Sequence, residues 1–157
     1  MNNEKTNEKG ILEEEFDEEE LLDKGYLKVW TLFEVQSNSR DATKGALKKH
    51  TSAIKKNYGI NIIEENTTKM EEIEAGPEFK ARNINTLFSQ ICEITFMINS
   101  YEKLTEIVIM YGPTAVEILA PEKITLDMRE AQNSLVLIAD MMHKFAAQGI
   151  GGIVIKT

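Results

Sequence analysis

The chain has 157 residues, with 26 acidic against 18 basic side chains and a net charge of −8; its pI is about 4.9. Apolar residues make up 42% and charged residues 28%, the balance of a soluble globular domain. This length excludes two full domains joined by a linker. No apolar run approaches the ~18 residues of a membrane helix, no export signal is evident, and the single cysteine permits no internal disulfide. A cytoplasmic protein with no membrane contact is expected.

The charge is unevenly placed. Residues 1–23 hold ten acids and two bases, so this segment carries the whole net charge and residues 24–157 are neutral. Residues 1–23 are expected to be a solvated acidic tail, disordered or partly helical, and residues 24–157 a single α+β domain. Ile11, Leu12, Phe16, Leu21 and Leu22 punctuate the acids. They make residues 11–22 a candidate docking segment for a protein partner with a basic-rimmed groove.

Residues 26–36 alternate as a strand, with Leu27, Val29, Phe33 and Val35 on one face and Trp30 and Leu32 on the other. Residues 39–58 read as a helix capped by Ser39, with Leu47, His50, Ile54 and Tyr58 on one face, lysines on the rest, and Gly59 at the stop. A second strand is expected at 60–64. Gly76-Pro77 then suggests a charged hairpin within 67–84. Residues 87–98 alternate again, with Phe88, Cys92, Ile94, Phe96 and Ile98 pointing one way. Asn99 and Glu102 have capping-box spacing ahead of a helix over 101–111, which Gly112-Pro113 stops.

A strand at 114–119 follows. Asp127 and Glu130 repeat the capping spacing and start a helix over about 128–148. Its main stripe is Met128, Ala131, Leu135, Ile138, Met142 and Phe145, widened by Val136, Leu137 and Met141. Gly149 ends it, and residues 152–156 suggest a last strand. Two split βαβ units indicate a ferredoxin-like βαββαβ sandwich, with an inserted charged hairpin and an added C-terminal helix and strand. Helices cover one face of such a sheet. Trp30 and Leu32 therefore call for cover on the other face, from the added helix or from a second subunit, a dimer being favoured.

Residues 104–126, LTEIVIMYGPTAVEILAPEKITL, resemble the end of the C-terminal extension of WYL-domain transcriptional regulators. The shared features are Gly112-Pro113 at a helix end, the strand Val116-Glu117-Ile118-Leu119, and Pro121. That extension is itself ferredoxin-like. The resemblance implies the same fold here and a ligand-sensing or oligomerising role.

No catalytic constellation is recognisable. Cys92 lies on an apolar strand face and is expected to be inert. His50 and His143 lack metal-ligand spacing, and no metal or cofactor is expected. Gly149, Gly151 and Gly152 run from a helix into a strand, the reverse of a phosphate loop, yet they permit close approach of a ligand to the backbone. With His50 and the Tyr111-Gly112-Pro113-Thr114 corner they make a candidate small-molecule site at His50, Tyr111, Gly112, Thr114, Gly149, Gly151 and Gly152. Trp30 and Leu32 are the candidate interface. The lysine-rich helix lacks the aromatic platform of a nucleic-acid binder. The leading expectation is a non-enzymatic, self-associating module that takes a small ligand. The alternatives are a small enzyme using a histidine at a subunit interface, and an adaptor binding a protein or nucleic acid through the acidic tail and lysine helix.

Overall fold

A computed structural model of the chain describes residues 15–149. In chain order they form α1 (Glu18–Asp23), β1 (Leu27–Ser37), α2 (Arg40–Tyr58), β2 (Asn61–Thr67), β3 (Glu71–Glu74), α3 (Pro77–Lys80), β4 (Thr86–Ile98), α4 (Tyr101–Tyr111), β5 (Ala115–Ala120) and α5 (Met128–Ala147). The strand expected at 152–156 lies outside the described residues.

The five strands form one antiparallel sheet. Its main path runs β2-β4-β1-β5, with β3 also paired to β4. β1 and β2 flank β4, and β4 and β5 flank β1, so each helix crossover skips over a strand of the other unit. This is the split βαβ, ferredoxin-like α+β arrangement expected from the sequence.

Period-two alternation positions the core. The register sets Val29 against Phe96, Thr31 against Ile94 and Phe33 against Cys92, and all six side chains are buried. Leu47 and Ile54 of α2, with Leu104 and Ile107 of α4, close over them. Each such side chain contributes about 1.5–3 kcal/mol by leaving water. Thr31 satisfies its buried hydroxyl by donating to the Ile94 carbonyl at 3.2 Å. Ser39 caps α2 by accepting from the Ala42 amide, and Gly59 ends it in the left-handed region at φ +57°. Gly112 does the same for α4 at φ +53°, a conformation costly for a residue with a Cβ.

Two local expectations are corrected. Residues 67–84 do not fold back on themselves as a hairpin: β3 pairs with the start of β4, and residues 77–80 form the short helix α3, with Pro77 at its first position. The cap of α4 is Ser100 rather than Asn99, its side chain accepting from the Lys103 amide. Within the acidic segment, Asp17 accepts from the Glu19 and Glu20 amides and starts α1. An ion pair from Glu18 to Lys28 at 2.6 Å ties α1 to β1.

The added helix does not cover the far face of the sheet. α5 packs on α4 instead. No helix among the described residues is long and apolar enough to cross a membrane.

Candidate functional site

α5 is the element that distinguishes this molecule from a bare split-βαβ sandwich, and its surroundings are built from the N-terminus of α4 outward. The first amides of any helix lack internal partners. At α4 they find Glu130 of α5: its carboxylate accepts from the Tyr101 amide at 2.7 Å, the Ser100 hydroxyl at 3.1 Å and the Glu102 amide at 3.4 Å. The positive end of the helix dipole favours that negative charge. One turn on, the Asn133 amide donates to both Glu102 oxygens at 3.2 Å. Ser134 is buried in the same seam and donates to the Glu130 carbonyl. Asp127 caps α5 itself by accepting from the Glu130 amide. The sequence assigns Glu130 to Asp127's capping box; its side chain serves a different helix.

The packed side of α5 is therefore Glu130, Asn133, Ser134, Leu137 and Met141. The stripe read as its main apolar face lies outside that seam. Met128 is 85% exposed, Leu135 67%, Met142 47%, Ile138 43% and Phe145 41%. At 100° per residue these positions fill one arc of the helix beside the packed side, and Arg129, Asp140 and His143 fall on the remaining side. On the inner border of α5, Ile138 and Met141 share an apolar groove of about 500 Å³ with Val108 and Ile109 of α4 and Val116 and Ile118 of β5. β5 pairs with β1 on one side; among the described residues its other edge is unpaired.

The structure brings part of the candidate small-molecule site together. His50 of α2 donates Nε2–H to the Tyr111 carbonyl at 2.7 Å, since a carbonyl can only accept. Its ring sits edge-on between Phe33 and Tyr111, at 5.4 and 5.0 Å. The Asn57 amide donates to the Tyr111 hydroxyl at 3.0 Å, and the Thr114 amide to the Leu32 carbonyl at 2.8 Å. His50, Tyr111, Gly112 and Thr114 thus meet where α2, α4 and β1 converge, in contacts that lock these elements to one another. Gly149 ends α5 with φ +74° and donates to the Ala146 carbonyl. Gly151 and Gly152 lie outside the described residues.

Trp30 and Leu32 are half-buried on the sheet face away from α2 and α4. Their cross-strand neighbours are Thr95 and Glu117 for Trp30, and Glu93 and Ala115 for Leu32. Further along this face, Ser89 donates to Glu34 at 2.7 Å. That bond, with one from Gln36, holds the Glu34 carboxyl below the usual carboxylate range. Cys92 is buried and burial pushes its thiol up, the opposite of a reactive thiolate. Among the described residues no three His, Cys, Asp or Glu side chains gather as a metal site.

The model of the MJ0538 family matches residues 28–156. The chain belongs to that family. The match begins with β1, leaves out the acidic leader, and continues past α5 through the glycine-rich segment and the residues after it. No curated protein and no solved structure matches the chain.

Proposed function

We propose that the domain is a non-enzymatic association module whose first partner is a second copy of itself, joined through α5. The supporting observation is the exposed apolar arc of Met128, Leu135, Ile138, Met142 and Phe145. Contiguous exposed apolar surface of this kind marks interaction sites.

The arc is self-complementary. Under an antiparallel two-fold axis between Val136 and Leu137, Met128 meets Phe145, Ala131 meets Met142 and Leu135 meets Ile138 of the partner subunit. The small Ala131 thereby accommodates the long Met142. No charged side chain lies within the arc, so pairing sets no like charges against each other. The face around Trp30 and Leu32 is less suited, because a two-fold contact there would gather Glu93 and Glu117 of both copies. A specific interface takes roughly 800 Å² from each partner. One helix about 30 Å long supplies less, so the expected dimer is concentration-dependent and forms in the micromolar range.

The resemblance of residues 104–126 to the WYL-regulator extension favours the same oligomerising or ligand-sensing class of role. A small ligand at the His50–Tyr111–Thr114 corner remains part of this reading, as does a cytoplasmic setting, which the single buried cysteine suits. Sedimentation velocity on the full chain tests the association. Mass should rise with concentration, and Leu135→Glu with Met142→Glu should abolish the rise. A concentration-independent monomer would refute it.

A further inference from the structure

The sheet face away from α2 and α4 is closed at both ends and open in the middle. At one end Met97, which alternates onto this face, is buried, and its ladder neighbour Lys28 pairs with Glu18 of α1 at 2.6 Å. At the other end Leu87 is buried and borders a cleft with Phe79 of α3 and Ile84. Between these ends Trp30, Leu32 and Ile91 are half-buried and form an apolar floor. By alternation and register, Glu34, Glu64, Glu93 and Glu117 stand around that floor. Three of the four are exposed and Glu93 is half-buried. None of them is in an ion pair among the described residues. Lys28, the one base that the described strands put on this face, is already taken by Glu18.

We propose that this face docks a basic amphipathic helix of another protein. The apolar stripe of that helix rests on Trp30, Leu32 and Ile91, and its Lys and Arg side chains meet the four glutamates.

Charge decides the class of occupant. A nucleic acid or an anionic membrane would bring like charge against the glutamates. A second copy of this face would do the same, with Glu93 and Glu117 gathered from both chains. An apolar stripe between basic flanks supplies both what the floor and what its rim lack. Backbone pairing decides the form. β1 is paired on one side by β4 and on the other by β5, and β4 is flanked by β1 and by β2 and β3. The occupant therefore binds through side chains alone, and a helix satisfies its own backbone. Size agrees. The open stretch from Trp30 to Glu34 runs about 14 Å along β1 at roughly 3.4 Å per residue, and a helix with its side chains is about 10–12 Å wide. The face lies on the opposite side of the sheet from the α4–α5 layer, so this docking is independent of self-association.

Trp30 is the one tryptophan of the chain, and its emission reads the face directly. The test uses the full chain, in the wild type and in the Leu135→Glu, Met142→Glu background. Two amphipathic helical peptides with the same leucine stripe serve as probes, one with lysine and one with glutamate on the polar side. The lysine peptide should shift Trp30 emission saturably in both backgrounds, and the glutamate peptide should not. Glu93→Lys with Glu117→Lys should weaken the lysine peptide about tenfold or more. The milder Glu64→Gln with Glu117→Gln, at two exposed positions, should weaken it less while the circular dichroism spectrum stays that of the wild type. No saturable shift, equal shifts with the two peptides, or unchanged binding in both sets of variants would overturn the proposal. An emission shift that follows protein concentration without peptide in the Leu135→Glu, Met142→Glu background would overturn it too, by assigning the face to a second copy. A wild type that stays monomeric yet binds the lysine peptide as described would refute the self-association reading alone.

Discussion

α4 and α5 begin alike, each with a side-chain cap and a first-turn glutamate, and each carries an apolar stripe at helical spacing. Their fates differ. Leu104 and Ile107 of α4 are 4% and 0% exposed, whereas Leu135 of α5 is 67% exposed. The reason lies in chain order. α4 follows β4 after two residues and drops directly onto the sheet. By the time the chain has left β5 and crossed residues 121–127, α2 and α4 already occupy that face. α5 therefore docks sideways on α4 through polar groups, with Glu130, Asn133 and Ser134 at the seam. Amphipathicity says that a helix has a side to bury; the surface left available decides what buries it.

This contrast makes the two regions respond differently to substitution. The largest effect belongs to the sheet–helix core: Phe96→Ala should cost about 3–5 kcal/mol, a large share of a domain's usual 5–15 kcal/mol, read from urea unfolding. An intermediate effect belongs to the α4–α5 seam. Glu130→Ala leaves the N-terminal amides of α4 without their acceptor and should cost about 1–3 kcal/mol. Glu130→Gln should recover part of that cost, because its amide oxygen still accepts. If Glu130→Ala unfolded at the wild-type midpoint, the seam would not be what holds α5 in place.

A smaller effect follows pH. The Glu34 carboxyl is held low in the folded chain, first by the Ser89 hydroxyl and then by Gln36. The resulting stabilisation is therefore present above the carboxyl's unfolded titration and is lost as pH falls through its lower folded value. Solvent screening keeps it under about 1 kcal/mol. Glu34→Gln should flatten acid unfolding by that amount relative to wild type, and an unchanged acid limb would argue against the bond. Smallest of all, Leu135→Ala on the exposed arc should shift monomer stability by less than about 0.5 kcal/mol, measured under dilute conditions.

Much of this architecture is legible in the residues. The alternation in 27–35 and 88–98 names the strand faces that the register later joins, and the Ser39, Gly59, Gly112 and Asp127 signals bound their helices. Where local chemistry has a single partner, the reading holds. It falls short where the partner is distant. Asn99 and Ser100 are both competent caps, and the choice between them depends on backbone direction at the end of β4. Residues 67–84 read as a hairpin because nothing local says that β3 will pair with β4 instead. Glu130 has ideal spacing for Asp127's capping box, yet its carboxylate bonds an element thirty residues earlier. For the candidate site, the proximity of His50 to Tyr111 is a tertiary fact that no spacing announces. The stripe on α5 is fully legible, but its orientation away from the α4 seam is not.

The most direct test of the α5 assignment is sedimentation velocity of the full chain across the micromolar range, beside the Leu135→Glu, Met142→Glu variant. The wild type should pass from monomer to dimer as concentration rises, while the variant stays monomeric with an unchanged circular dichroism spectrum. A wild type that stays monomeric throughout, or a variant that dimerises as the wild type does, would contradict it.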